Sequence, residues 1–487
     1  MTSTHHQSTS SELFSHDKPE EACGVFGIYA PNETVAKLTY FGLYALQHRG
    51  QESAGIATFD GNNCYSYKDM GLVSQVFSES ILANLTGQIA VGHTRYSTTG
   101  SSLQANAQPA VIDTRLGKLA LAHNGNLVNT VDLRAELINR NCKFITTTDS
   151  EMIAIMIGNE VDQGKGWLEA AISSFQWCKG AYSLVIGTPD GIMGARDPNG
   201  IRPLVIGCLN EETGALRYVL ASETCALDII GAEYLRDVEP GEVVWINDTG
   251  LSSFHWAKPD QKLCVFEMIY FARPDSIMSN ESLYAYRLRL GEQLAKESLV
   301  DVDFVMGVPD SGIPAAIGYS RHSGITYQEG LIKNRYVGRT FIQPTQHMRE
   351  HGIKMKLNPL KDVLENKRIL IIDDSIVRGT TSRNIVKALR DAGATEVHMR
   401  ISSPPVTHPC FYGIDTDSQD QLIGAKMSVE GIRQQIGVDT LAYLSEEGML
   451  KVTKENPAHF CTACFNGNYP ITIPDEVKKA KLVLESV

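Results

Sequence analysis

The chain has 487 residues, 43% of them hydrophobic and 21% charged. At roughly 150 residues per domain this composition excludes global disorder and argues against a single core. Lysine plus arginine (44) against aspartate plus glutamate (56) leaves a net charge of −12, so no overall attraction to nucleic acid or to an anionic membrane is expected.

Residues 1–22 are polar, lack an apolar central stretch and end in acidic residues, which does not fit a secretory signal. No run of about 18 uninterrupted apolar residues follows, so a membrane span is not expected and a cytoplasmic location is. From Cys23 to about Trp256 the short apolar runs Gly24–Ala30, Gln88–Val91, Leu119–Ala122, Ala181–Ile186 and Val243–Ile246 read as strands between Gly, Asn and Asp turns. Val35–Leu46, Thr130–Asn139 and Asp149–Glu160 carry apolar residues three and four apart and read as helices. The polar, proline-containing segment His255–Lys262 is the expected domain boundary. Beyond about Leu263 the rhythm changes: Phe304–Val308, a helix from Pro314, Ile369–Ile372 and a helix from Thr381 to Ala392 alternate as in a parallel sheet with crossover helices.

The segment Lys367–Ser382, KRILIIDDSIVRGTTS, runs a buried strand into two adjacent carboxylates, then a glycine loop, then a helix opening on hydroxyls. Amides and hydroxyls at a helix start suit a phosphate, and carboxylates at a strand end suit sugar hydroxyls or a hard cation such as magnesium. Alone, these residues could merely cap the helix. The whole string resembles the signature of phosphoribosyltransferases that use phosphoribosyl pyrophosphate. The resemblance implies that Asp373 and Asp374 contact the ribose and that Arg378, Gly379, Thr380, Thr381 and Ser382 form the 5′-phosphate loop. Val308–Gly312 (VPDSG), an ordinary turn when read alone, fits that family's pyrophosphate loop, with Asp310 and Ser311 as contacts. Magnesium would then sit near Ser311, Asp373 and Asp374. The basic stretch Lys333–Lys356 reads either as a solvated loop or as a lid whose Lys333, Arg335, Tyr336 and Arg339 close over an anionic substrate.

Cys23 precedes an apolar strand, where a lone cysteine is ordinarily inert. The strings LQHRG (Leu46–Gly50), GHTRYST (Gly92–Thr98), HNGN (His123–Asn126) and TTDSE (Thr147–Glu151) follow it in order. Together they resemble the class II glutamine amidotransferases, which are N-terminal-nucleophile hydrolases. Amide hydrolysis by a thiol needs a base, and a freed α-amino group with a pKa of about 7.7–8.0 supplies one near neutrality. Only a first residue has that amine, so residues 1–22 are expected to be a propeptide and Cys23 the nucleophile. The resemblance implies that Arg95 and Asp149 hold the α-carboxylate and α-amino group of glutamine, that Asn124 and the Gly125 N–H stabilise the oxyanion, and that Arg49 shapes the pocket.

Ten cysteines are too few for a disulfide scaffold. The pair Cys461 and Cys464 (CTAC) suits zinc, iron–sulfur or redox chemistry, and spacing alone favours zinc. With Cys264 and Cys410 it is similar to the ligand set of the iron–sulfur-containing amidophosphoribosyltransferases, which implies one four-iron four-sulfur cluster on these four cysteines. Cysteines 64, 142, 178, 208 and 225 read as residues without chemistry.

Glutaminase strings in one half and phosphoribosyl pyrophosphate strings in the other are the combination of that family. The implied fold is mixed α/β and α+β: a four-layer αββα glutaminase domain over 23–257, then a type I phosphoribosyltransferase α/β domain with a mostly parallel sheet over 263–470, and a tail over 471–487. The implied reaction converts glutamine, phosphoribosyl pyrophosphate and water to 5-phosphoribosylamine, glutamate and pyrophosphate, opening purine biosynthesis. Purine nucleotides are the expected feedback inhibitors and a homotetramer the expected assembly. Other amidotransferases such as glucosamine-6-phosphate synthase or asparagine synthetase share only the first half, and residues 367–382 argue against them. A nucleotide-sensing regulator built on a phosphoribosyltransferase fold would have no use for an activated Cys23.

Overall fold

The apolar segment Gly24–Tyr29, buried at every position, is a central strand of a seven-stranded antiparallel sheet. The structure is a computed structural model that describes residues 23–96, 103–209, 217–334, 357–414, 416, 418–475 and 477. Across the first sheet the strands run Glu233–Asp237, Val205–Cys208, Tyr218–Ala221, Gly24–Tyr29, Ile89–Arg95, Ser53–Phe59 and Cys64–Met70. A second antiparallel sheet has six strands in the order Gly250–His255, Glu242–Asn247, Gly191–Arg196, Gly180–Thr188, Gly117–Leu127 and Ala110–Thr114.

Val25, Phe59, Val91, Ala122, Val185 and Ile206 fill the space between the sheets. The helix Val35–Ala45 packs on the outer face of the first sheet, and Thr130–Asn139, Asp149–Asp162 and Trp167–Phe175 pack on that of the second. The result is four layers, αββα, as expected. Each fully buried Val, Leu, Ile or Phe in these layers contributes about 1.5–3 kcal/mol. The helix Asp149–Asp162 starts cleanly because the Thr148 hydroxyl accepts from the Glu151 N–H at 3.3 Å, a cap worth about 1 kcal/mol.

Ser53–Phe59 is a strand that periodicity does not reveal: it is buried at every position, so no polar face alternates with the apolar one. The Asn-Gly of HNGN is not a turn but lies within the eleven-residue strand Gly117–Leu127.

In the second half, Phe304–Gly307, Arg368–Asp373, Glu396–Ile401 and Thr440–Tyr443 form a four-stranded parallel sheet. Leu370 and Ile372 face the helices Leu283–Glu297 and Ile313–Ser323, whereas Ile369 and Ile371 face Thr380–Asp391 and Val429–Ile436. Burial on both faces is why this strand reads as an unbroken apolar run. Residues 256–262 separate the last strand of the second sheet from Leu263–Cys264, which pairs in parallel with Phe460–Cys461. Among the described residues no helix is long and apolar enough to cross a membrane.

Candidate active sites

Cys23 stands one residue before the strand Gly24–Tyr29, whose Gly24 lies opposite Thr94 on the strand that ends at Arg95. Its thiol is 3.5 Å from the Tyr96 carbonyl oxygen. Burial pushes the thiol pKa up to about 12, with Arg95 pulling it down and Glu52 and Asp149 pushing it up. A thiol in that setting does not ionise near neutrality without a base at hand. Arg95 donates to Glu52 at 2.7 Å.

The HNGN strand meets this site from the second sheet. His93 Nε2 is 3.0 Å from the His123 carbonyl oxygen, and since a carbonyl only accepts, the ring proton sits on Nε2. The Leu127 N–H donates to Asp149 Oδ2 at 3.0 Å, and His123 Nδ1 lies 3.4 Å from Asp149 Oδ1. Burial alone would raise the Asp149 pKa, but His123 and the backbone N–H groups hold it below the usual carboxylate range. Asn124 is 0% exposed, and among the described residues nothing pairs either its Nδ2 or its Oδ1. Gly125 has φ +146°, and a Cβ there would lie 2.1 Å from the Ala181 carbonyl oxygen. The loop carrying Cys410 packs over this strand: Asn126 Nδ2 donates to the Phe411 carbonyl at 3.1 Å, and a Cβ on Gly413 would come within 2.9 Å of Gly125.

A buried charge network that motif reading misses lies beside the thiol. Arg49 is bonded to Glu223 and, at 2.7 Å, to Glu267; Arg202 donates to Glu267 at 2.8 Å and to the Tyr412 carbonyl at 2.9 Å. His48 Nε2 is 2.6 Å from Glu223, which also accepts from the Arg273 N–H and the Ser276 hydroxyl. Although desolvation opposes it, Glu223 and Glu267 raise the Arg49 pKa, so the guanidinium stays charged. The sequence carried a signal: Glu223 in LASETCAL and Glu267 in CVFEMIYF are lone carboxylates in apolar runs, and a carboxylate is buried only when paired.

At the second site Asp373 and Asp374 end the strand Arg368–Asp373 and are both buried. The Asp374 N–H donates to Asp373 Oδ1 at 2.9 Å, and the Ser375 hydroxyl donates to Asp374 Oδ1 at 2.6 Å. Gly379, with φ +82°, turns the chain into the helix Thr380–Asp391, so Thr380, Thr381 and Ser382 form its first turn. Val308–Gly312 closes on the same strand end: the Val308 N–H donates to the Ile372 carbonyl at 2.8 Å, and a Cβ on Gly312 would lie 2.2 Å from that oxygen. Ser311 is in this loop, while Asp310 and Lys333 form an exposed ion pair across its mouth. Tyr336, Arg335 and Arg339 lie outside the described residues, as do residues 1–22. Buried adjacent carboxylates with hydroxyls are hard oxygen donors, a set that fits magnesium.

Cys264 and Cys461 face each other across the parallel pair. Burial raises the Cys264 thiol to about 12 and also pushes Cys461 and Cys464 up, and a thiolate at Cys410 would raise all three further. The four thiols therefore gather at one apolar cluster, Cys264 and Cys461 buried within it and Cys410 and Cys464 half-buried against it. Arg202 borders it, with Cys264 and Cys410 among the groups that favour its charge, and its fully buried Nη2 has no partner among the described residues. As the side chains stand, no group of three or more His, Cys, Asp or Glu among the described residues could hold a metal ion.

Comparison with known proteins covers both halves. Residues 93–228 match a family model described as a glutamine amidotransferase domain. An amidophosphoribosyltransferase of Synechocystis sp. is 73% identical over 473 residues, 97% of this chain and 95% of the relative. That of Bacillus subtilis is 49% identical over 474 residues, 95% and 98% of the two chains. The solved structure of glutamine phosphoribosylpyrophosphate amidotransferase from B. subtilis, complexed with ADP and GMP, superposes with a TM-score of 0.87 at 48% identity, covering 93% of this chain and 98% of that one. Likeness that runs through the thiol site, the paired carboxylates and the sheets behind both is more than a shared domain, and the chain belongs to the amidophosphoribosyltransferases, enzymes of the glycosyltransferase class.

Proposed function

We propose that this enzyme converts glutamine, phosphoribosyl pyrophosphate and water to 5-phosphoribosylamine, glutamate and pyrophosphate, with Cys23 as the nucleophile once residues 1–22 are removed as a propeptide. The observation that carries the reading is the wholly buried amide of Asn124, unpaired among the described residues, together with a Cys23 thiol too basic to ionise unaided. The freed α-amine of Cys23 takes the thiol proton, and the thiolate attacks the side-chain carbonyl carbon of glutamine. Asn124 Nδ2 and the Gly125 N–H receive the developing oxyanion, and the protonated amine returns its proton to the departing nitrogen. Ammonia leaves, and water hydrolyses the thioester to glutamate. Arg95 and Asp149 hold the α-carboxylate and α-amino group, and Arg49, paired with Glu223 and Glu267, forms the wall behind them.

Ammonia then attacks C1 of the ribose and pyrophosphate departs. Asp373 and Asp374 orient the sugar hydroxyls, residues 378–382 hold the 5′-phosphate, Asp310 and Ser311 contact the pyrophosphate end, and Lys333 and Tyr336 belong to a lid over the anionic substrate. Magnesium at Ser311, Asp373 and Asp374 supplies neutralising charge to the leaving group when bound. For the four cysteines 264, 410, 461 and 464 the reading is one four-iron four-sulfur cluster, supported by an all-thiol donor set and by the Arg202 Nη2 beside it, which has no partner among the described residues and is a donor suited to a sulfur acceptor.

The glutaminase unit is read as 23–257, the phosphoribosyltransferase unit as 263–470 and the tail as 471–487. The similar B. subtilis structure, solved with ADP and GMP, supports feedback by purine nucleotides. Exposed Phe41 and Tyr44, one turn apart on the helix Val35–Ala45, offer an apolar contact for a second copy, the assembly is read as a homotetramer, and a cytoplasmic enzyme is consistent with both substrates. The test is a split assay of Cys23→Ser. Glutamine-dependent synthesis is expected to disappear while synthesis from added ammonia persists, and loss of both would overturn the assignment of separate sites.

A further inference from the structure

Arg287 is a buried arginine on the helix Leu283–Glu297, 3% exposed, and among the described residues no carboxylate lies within ion-pair distance of it. Its Nε donates to the Met268 carbonyl at 2.9 Å and its Nη2 to the Ala272 carbonyl at 2.6 Å. Those two carbonyls lie inside and just past a single wide turn, Glu267–Phe271, closed by the Ala272 N–H donating to the Glu267 carbonyl at 3.0 Å. Such i to i+5 turns are rare and concentrate where function needs them. The turn opens with Glu267, the carboxylate that holds both Arg49 and Arg202 beside the thiol site.

The other side of Arg287 leads to the sugar-phosphate site. Its helix crosses Ile313–Ser323 with the two backbones in close approach: a Cβ on Gly291 would lie 1.8 Å from the Ala315 carbonyl oxygen, and one on Gly318 would lie 1.9 Å from that of Leu288. Contacts that close leave no room for the pair to slide, so the two helices move as one body. The second helix begins where the Val308–Gly312 loop ends, and Gly312 is seated on the Ile372 carbonyl one residue before Asp373. Asp374 and Glu223, one from each site, are the carboxylates whose fields most favour the charge of Arg287, against the desolvation that lowers its pKa to about 10.

We propose that Arg287 is a positioning residue that couples the two reactions, tying the turn that carries Glu267 to the helix pair that starts at the pyrophosphate loop. A ligand that shifts that loop shifts the helix pair, the guanidinium carries the shift to the wide turn, and Glu267 re-aims Arg49 and Arg202 at the glutamine pocket. The inference rests on the bifunctional reading above.

The experiment compares wild type, Arg287→Lys and Arg287→Met in the processed holoenzyme, which begins at Cys23. Glutamine hydrolysis is measured with and without phosphoribosyl pyrophosphate, alongside ammonia-dependent synthesis and the thermal midpoint. In wild type the sugar phosphate is expected to stimulate hydrolysis. In Arg287→Met that stimulation should fall about five- to tenfold, through a raised glutamine KM in its presence, with basal hydrolysis and ammonia-dependent synthesis within about twofold of wild type. Arg287→Lys keeps the charge but reaches one carbonyl only, so it should fold as wild type and still lose part of the stimulation; this variant decides the matter if the methionine variant does not fold. Wild-type stimulation in a folded Arg287→Lys, or a proportional loss of every activity, overturns the inference. Absence of stimulation in wild type itself overturns the functional reading and the inference with it.

Discussion

Asn124→Ala separates activity from stability with opposite signs. The amide is 0% exposed and unpaired by any described protein group, and an unpaired buried polar group costs about 1–3 kcal/mol. Truncation to alanine removes that cost and leaves a cavity on the order of 30 Å³, worth less than about 1 kcal/mol at ~24 cal/mol per Å³. The variant is therefore expected to be as stable as wild type or up to about 2 kcal/mol more stable, a rise in thermal midpoint of zero to roughly 8 °C for a domain of this size. Removing one oxyanion donor lowers kcat about 10²–10³-fold, about 2.7–4 kcal/mol of transition-state stabilisation. Differential scanning calorimetry beside glutamine- and ammonia-dependent synthesis provides the check, and the ammonia reaction should be unchanged. A midpoint lowered by more than about 5 °C together with a loss of both reactions would refute the reasoning, because the amide would then be holding the fold.

Burial lowers the His93 pKa to about 3, with the His123 carbonyl only partly compensating, so the folded protein holds this ring neutral. A depressed pKa means that its contribution is fully present above the unfolded value of about 6.5 and is lost as pH falls toward about 3. At pH 5 the difference is about 2 kcal/mol, from about 1.36 kcal/mol per unit. Urea unfolding between pH 7 and 5 should therefore weaken wild type more than His93→Gln; equal slopes would remove the assignment. For the thiol quartet, purified protein is expected to be brown with about four iron atoms per chain, and Cys264→Ser should lose that iron. Stoichiometric zinc without iron would contradict the cluster.

The parts of the sites that depend on local backbone were legible in the sequence. The run Ile369–Ile372 into Asp373, Asp374 and Gly379 spells out a strand end, a turn and a helix start, and the observed helix opens at Thr380, one residue earlier than periodicity gives. The helices around residues 35–45 and 130–139 were readable because each carries one apolar face, and 149–162, buried on most sides, because a Thr148 cap precedes a long apolar run. Sequence-distant pairings were not. Arg49 and Glu267 are 218 residues apart and Arg202 and Tyr412 are 210 apart, so no spacing rule connects them. Their trace is indirect, a carboxylate inside an apolar run, and it identifies a buried ion without naming its partner. Strands sandwiched between layers, such as Ser53–Phe59, were obscured because burial on both faces erases the alternation that marks an edge or a surface strand.

The most direct measurement is the intact mass of the polypeptide in preparations that hydrolyse glutamine. The expected species is a chain that starts at Cys23, with its α-amine free to act as the base. A fully glutamine-competent enzyme that still carries residues 1–22 would contradict it.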